Sequence, residues 1–173
     1  MQPTSDDYFN ALGKLAFAAS HLEEAMVVFT AALTETTNPE ELDAELRSDT
    51  WAKNTKKLRN LLSERVGDYY RPRLVALLDQ SDTLRRLRNE NVHALWQVME
   101  NADTGEFSHV LRARVTVDRR SRTTSTEVGP ADLSEIENLA RNMADLSRKL
   151  QTEFKHVWDM DETLRTWRET QGL

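Results

Sequence analysis

Apolar side chains recur at steps of three and four residues over three long stretches of this 173-residue chain. That period is typical of an amphipathic α-helix. The stretches cover residues 8–35, residues 72–99 and a final segment that starts near Asp132. Shorter helices are predicted over residues 40–46 and from Asp49 or Thr50 to about Val66. Because each long helix has an apolar stripe to bury, the sequence predicts a mainly α protein, a bundle of four to five helices.

Before the last helix the period changes from helical spacing to strict alternation. Residues 107–117 alternate apolar and polar side chains, which is typical of a half-buried β-strand. Residues 118–122 form a predicted turn, and residues 123–128 form a weaker strand that ends before Gly129-Pro130. The sequence therefore predicts a small β-hairpin inserted before the last helix, within a single helical domain over residues 1–173.

Composition narrows the class of protein. The chain has no cysteine, which excludes disulfides and thiol chemistry and fits a reducing cytoplasm. We read no apolar run as long as a membrane span and no signal peptide, so a cytoplasmic protein without a membrane partner is expected. The net charge of −6 argues against broad nucleic-acid binding. Residues 51–128 nevertheless hold 15 Lys and Arg against 10 Asp and Glu, enough for a local phosphate-binding surface or simply for a solvated basic face.

One arginine falls among the apolar positions of the second long helix. On a helical wheel, two apolar residues lie within roughly 40° of Arg88, namely Leu84 and Val92. If the helix continues to Met99, as the spacing predicts, Leu95 and Met99 lie within the same angle. Removing a guanidinium from water without a partner is costly. Arg88 must therefore face a carboxylate such as Glu23 or Glu24, a partner subunit, or a polar cleft that binds an anion.

Asn89 and His93 lie four residues apart, on one flank of the same helix. Asn89 could orient the imidazole or bind the same ligand, although His93 could also be an ordinary surface histidine. One helix does not easily bring Arg88 and His93 together, because they are about 140° apart around its axis. Two copies packed across a dimer axis could do so, and a symmetric interface would then hold two arginines, two asparagines and two histidines.

An arginine followed by a polar residue and then by a histidine, late in a long helix of a small bundle, resembles the R-x4–6-H motif of the HEPN superfamily. The matching segment is Arg88-Asn89-Glu90-Asn91-Val92-His93, with four residues between the two motif positions. The wider plan is similar too: a first helix with Ser20-His21-Leu22-Glu23-Glu24, the motif helix, a short strand pair and a final helix.

The resemblance implies a metal-independent endoribonuclease that needs no cofactor and cleaves single-stranded RNA in a homodimer, often as a toxin or phage-defence protein held by an antitoxin or regulatory protein. It implies that His93 is the general acid and base, that Arg88 clamps the phosphate and that Asn89 positions phosphate or imidazole. Further candidates for holding the RNA backbone are Arg85, Arg86, Arg112 and Arg114.

Two alternatives remain. Some relatives in this superfamily have lost activity, so the chain could be a non-catalytic helical module that binds nucleotide, RNA or a protein partner. Members that are controlled by tyrosine modification often carry a tyrosine shortly after the histidine. Here Trp96 stands three residues after His93, so that form of control is not expected. A di-iron bundle could instead use the pairs Glu90–His93 and Glu153–His156, but the wheel places Glu90 opposite the apolar stripe. No metal site is therefore predicted.

Overall fold

The computed structural model describes residues 3–101, 107–118 and 123–172. The described residues confirm a mainly α protein, with a small antiparallel sheet before the last two helices. The helices are α1 (Ser5–Leu33), α2 (Pro39–Ser48), α3 (Trp51–Arg65), α4 (Arg71–Val92), α5 (Leu133–Met160) and α6 (Glu162–Gln171). The strands are β1 (Leu95–Glu100), β2 (Phe107–Asp118) and β3 (Thr123–Pro130).

Strands β2 and β3 form the predicted hairpin, and β1 adds a third strand to the sheet. The spacing predicted that the motif helix continues to about Met99, and this was wrong, because α4 ends at Val92 and residues 95–100 pair with β2. The sheet order is β1-β2-β3. The indole Nε1 of Trp96 donates to the carbonyl oxygen of Asn91 at 2.9 Å. This bond satisfies one of the carbonyls that a helix C-terminus leaves without an intrahelical partner.

The contacts divide the chain into two compact units, residues 1–18 with 84–142 and residues 19–83 with 143–173. In the second unit, leucines of α1, α3 and α4 are fully buried, and Phe29 stacks on Phe154 with ring centroids 4.0 Å apart. Thr50 caps α3 by accepting a hydrogen bond from the backbone N–H of Lys53. This unit is held mainly by apolar burial.

In the first unit, Ala131 links the start of α1 to the sheet. The Tyr8 hydroxyl donates to the carbonyl oxygen of Ala131 at 3.0 Å, and the backbone N–H of Ala131 donates to the carbonyl oxygen of Val110 at 2.8 Å. Burial raises the pKa of Tyr8, so its hydroxyl stays a donor at neutral pH. These two hydrogen bonds hold β2, which carries the candidate residue Arg112, beside the start of α1.

Helix α1 is apolar enough to pass a composition test for a membrane span. An 18-residue window reaches a mean hydropathy of 1.3, but half of that window is buried inside the protein. The core helix of a soluble protein has the same properties. The expectation of a cytoplasmic protein without a membrane partner therefore stays a prediction.

Candidate functional site

The candidate site begins at Arg88, in the last turns of α4. Its side chain is half-buried, as the helical spacing predicts, and its Nη1 donates to the Oδ1 of Asn89 at 3.0 Å. Its Nε is buried and has no hydrogen-bond partner among the described residues. A half-buried guanidinium with one described hydrogen bond, to an amide oxygen, has spare donors for a further acceptor.

No carboxylate neutralises Arg88 within the described part of its own unit, where no acidic oxygen lies within the 4.0 Å limit of an ion pair. Glu24, one of the two acidic residues considered as partners for Arg88, binds a different arginine. Both carboxylate oxygens of Glu24 accept hydrogen bonds from Arg47, at 2.7 and 2.9 Å, and this contact lowers the pKa of Glu24.

Asn91 was missed as a site residue from the sequence, although it belongs to the motif segment. Its side chain is 1% exposed. Its Nδ2 donates to the carbonyl oxygen of Leu87 at 2.9 Å, and its Oδ1 accepts from Nη1 of Arg112 at 2.6 Å. Its position three residues after Arg88, on the buried side of the helix, was the available signal.

Arg112 lies on β2, and its surroundings differ from those of Arg88. Its side chain is 16% exposed, and its guanidinium forms two hydrogen bonds to the carboxylate of Glu135 of α5, with nitrogen–oxygen distances of 3.4 and 3.2 Å. Together with the bond to Asn91, this joins β2 to α4 and α5. Near the start of α5, hydrogen bonds from Ser134 lower the pKa of Asp132, and Arg112 contributes a smaller electrostatic effect.

His93 immediately follows α4 and is exposed. Its backbone N–H donates to the carbonyl oxygen of Asn89 at 3.0 Å, so the helical turn continues through this residue. Its ring makes no hydrogen bond within the described part of the chain. The imidazole is therefore open to a ligand or to a second copy, while its backbone is fixed relative to Asn89.

The remaining candidates lie in different surroundings. Arg85 is half-buried and Arg86 is exposed, both on α4. The side chain of Arg114 lies outside the described residues. The structure therefore brings Arg88 and Asn89 together, places His93 at the end of the same helix, and engages Arg112 in contacts within the chain.

Metal binding was considered as an alternative chemistry. Within residues 3–101, 107–118 and 123–172 there is no group of three or more His, Asp or Glu side chains that could hold a metal ion. Glu153, one member of the proposed di-iron pairs, contacts Arg73 at 3.3 Å.

Comparison with protein-family models, with curated proteins and with solved structures finds no match. The resemblance to the HEPN superfamily therefore depends on the motif segment and its place in the helix order.

Proposed function

We propose that this chain is a metal-independent endoribonuclease that cleaves single-stranded RNA at a composite site formed by two copies. The observation that carries the proposal is the half-buried Arg88 guanidinium, which meets an amide oxygen but no carboxylate in the described part of its unit. A cation kept in this state favours an anionic ligand, because a bound anion would supply the missing compensation. The exposed imidazole five residues later supplies a group that can move a proton.

The reaction that fits these groups is internal transesterification. One His93 imidazole removes the proton from a ribose 2′-hydroxyl, whose oxygen attacks the adjacent phosphorus. The new O2′–P bond forms, the P–O5′ bond breaks, and a second imidazole protonates the departing O5′. Arg88 donates hydrogen bonds to the phosphate oxygens, on which negative charge grows in the transition state.

Asn89 serves in this proposal as a positioning residue. Its Oδ1 accepts a hydrogen bond from Arg88, which orients the guanidinium, and its Nδ2 is a second donor for phosphate. Asn91 acts further from the substrate, because both of its polar side-chain atoms are engaged inside the chain. We expect the RNA to be single-stranded, because its backbone can bend into a cleft.

The second copy is needed because of helix geometry. The backbone bond from His93 to Asn89 extends the α4 turn as far as His93. Five helical steps therefore separate Arg88 from His93, which is about 140° around the axis. A two-fold axis beside the end of α4 would bring the Arg88 of one copy to the phosphate next to the 2′-hydroxyl that the His93 of the other copy deprotonates.

The test is cleavage of a fluorescent single-stranded RNA in the presence of a chelator. Arg88→Ala and His93→Ala should each lower the cleavage rate at least about 100-fold while the circular dichroism spectrum stays unchanged. Matched controls are Arg148→Ala and His156→Ala, which change the same residue types on α5. Cleavage that survives both motif changes, or falls equally in the controls, would overturn the proposal.

A further inference from the structure

Three aromatic rings from two segments of the second unit contact one another, and one of them lies in solvent. Tyr69, just before α4, is 74% exposed. Its ring meets that of Tyr70 edge-on, with centroids 4.8 Å apart, and Tyr70 meets the imidazole of His156 on α5 at 5.7 Å. The Arg73 guanidinium lies 5.7 Å from the centroid of the Tyr69 ring, within the range of a cation–π contact. Tyr69 is therefore an exposed ring that its own chain holds in place.

A cleft between α4 and α5 begins beside these rings. Its volume is about 430 Å³, within the size range of sites that bind small molecules, and it is open to solvent. It is lined by one residue of α4 and five residues of α5: Leu77, Asp145, Arg148, Lys149, Thr152 and Glu153. Glu153 connects the cleft to the rings, because its carboxylate accepts a hydrogen bond from Arg73 at 3.3 Å.

The cleft carries charges of both signs, and one of its cations is available. Asp145 and Arg148 pair with each other, and Glu153 pairs with Arg73. Lys149 is exposed and forms no ion pair with any residue that the structure describes. It lies four residues before Glu153 on α5, about 6 Å along the helix axis. The cleft therefore has a stacking ring at one end and an available ammonium group near the other.

We propose that this cleft, which we call the Tyr69 cleft, binds single-stranded RNA, with a base stacked on the Tyr69 ring and a neighbouring phosphate at Lys149. Aromatic rings that stack on bases, together with cations along the backbone, are the usual means of holding a single strand without reading its sequence. A ring that is already held in place loses little conformational freedom on binding. An apolar protein partner fits less well, because Leu77 is the one aliphatic side chain of the lining and is half-buried.

The choice of an RNA strand over a free nucleotide rests on the proposed function and on the charge of the cleft. A phosphodiester in a strand carries one negative charge, which matches one available ammonium group, whereas a terminal phosphate carries nearly two. The open cleft also lets a chain enter and leave. The Tyr69 cleft belongs to the unit that does not contain Arg88, so it is a second RNA contact in addition to the proposed cleavage site.

Two neighbouring side chains are not assigned to RNA in this proposal. Arg148 is paired with Asp145, and His156 packs against the ring of Tyr70. Their roles are to keep the cleft in shape, and they therefore remain valid controls for the cleavage reaction.

The first test is fluorescence anisotropy with labelled single-stranded RNA whose 2′-hydroxyls are methylated, so that internal transesterification has no nucleophile. Wild type should bind, and Tyr69→Ala should raise the Kd at least about tenfold, while Tyr69→Phe keeps the ring and the affinity. The control is Phe9→Ala, which removes another exposed ring. A wild type that does not bind, a Tyr69→Ala protein that binds as wild type does, or an equal loss in the control would overturn the proposal.

The second test examines the phosphate contact through salt. Lys149→Ala should reduce the slope of log Kd against log salt concentration by about 0.7, the value for one phosphate of a single strand. Lys56→Ala, which changes an exposed lysine of α3 in the same unit, should leave the slope unchanged. A slope that Lys149→Ala leaves unchanged, or that both variants reduce equally, would contradict a phosphate at Lys149.

The third test distinguishes a strand from a free nucleotide. AMP at the concentration of RNA that saturates the protein should leave the labelled RNA bound, because it offers one base and a terminal phosphate. Displacement of the RNA by AMP at that concentration would show that a free nucleotide fills the cleft, and the assignment to a strand would be wrong.

The binding tests use RNA that cannot be cleaved, so the Tyr69 cleft and the ribonuclease can fail separately. RNA binding that depends on Tyr69, in a protein that never cleaves RNA, would overturn the ribonuclease alone. Cleavage that requires Arg88 and His93, in a protein whose RNA affinity does not depend on Tyr69, would overturn the cleft alone.

Discussion

Arg112 on β2 and Arg88 on α4 belong to the same unit, and both guanidinium groups are partly buried, but their surroundings differ. Arg112 is bound by both oxygens of Glu135 and by the Asn91 side chain. Among the described residues, the Arg88 side chain has one hydrogen-bond partner, the amide oxygen of Asn89, and its Nε is buried without a partner. Within the described part of this unit, Arg112 is neutralised by a carboxylate and Arg88 is not.

The difference separates a structural cation from a candidate ligand-binding one. A buried ion pair joins elements, and removing one partner leaves an uncompensated charge and unmade hydrogen bonds. A cation without a carboxylate partner contributes little to the fold, or opposes it, and its charge is available to bind an anion. The same substitution at the two arginines should therefore affect stability and function in opposite ways.

The largest expected effect on stability is the contrast between Arg112→Met and Arg88→Met. Arg112→Met leaves Glu135 and Asn91 without their partner and should lower the free energy of unfolding by about 2–3 kcal/mol. Hydration of the half-exposed Glu135 limits the loss. Arg88→Met replaces a guanidinium that has no ion pair in the described part of its unit, so it should leave stability unchanged or slightly higher. Urea unfolding measures both, and equal losses would remove the distinction between the two arginines.

A smaller contrast is expected between the two asparagines that contact these arginines. Asn91→Leu removes the hydrogen bonds to Leu87 and Arg112 at a buried position and should cost about 1–2 kcal/mol. Asn89→Leu removes a single bond at a half-buried position and should cost less than about 1 kcal/mol, while lowering RNA cleavage. If Asn89→Leu proved the more destabilising change in thermal unfolding, the assignment of Asn91 to the fold and Asn89 to the site would be wrong.

Much of this arrangement could be predicted from the sequence, and the exceptions have physical reasons. Helical spacing correctly placed Arg88 on the buried side of α4, because Leu84 and Val92 share its face. The same spacing wrongly extended the helix to Met99. Residues 95–100 show no regular alternation of apolar and polar side chains, so their pairing with β2, and not their spacing, makes them a strand. Tertiary pairing commonly overrides local preference in this way.

The role of Asn91 could not be predicted for a related reason. Its burial and its bond to Arg112 exist only because β2 lies beside the end of α4, at a separation of 21 residues along the chain. Periodicity indicates which face of a helix is buried, but it does not indicate which strand residue meets that face. The sequence therefore located the segment of interest, and the structure distinguished the residues that hold it from those that remain available.

The smallest expected effect is on anion binding, and it bears directly on Arg88. Inorganic phosphate at about five times its dissociation constant should stabilise wild type by about 1 kcal/mol, a rise in melting temperature of roughly 2–4 °C. Arg88→Met should lose this rise, and Arg112→Met should keep it from a lower starting temperature. Because phosphate also stabilises proteins by exclusion from their surface, the quantity to compare is the difference between the variants. An equal rise in both would mean that Arg88 does not bind the anion, and its lack of a carboxylate would then have no functional meaning.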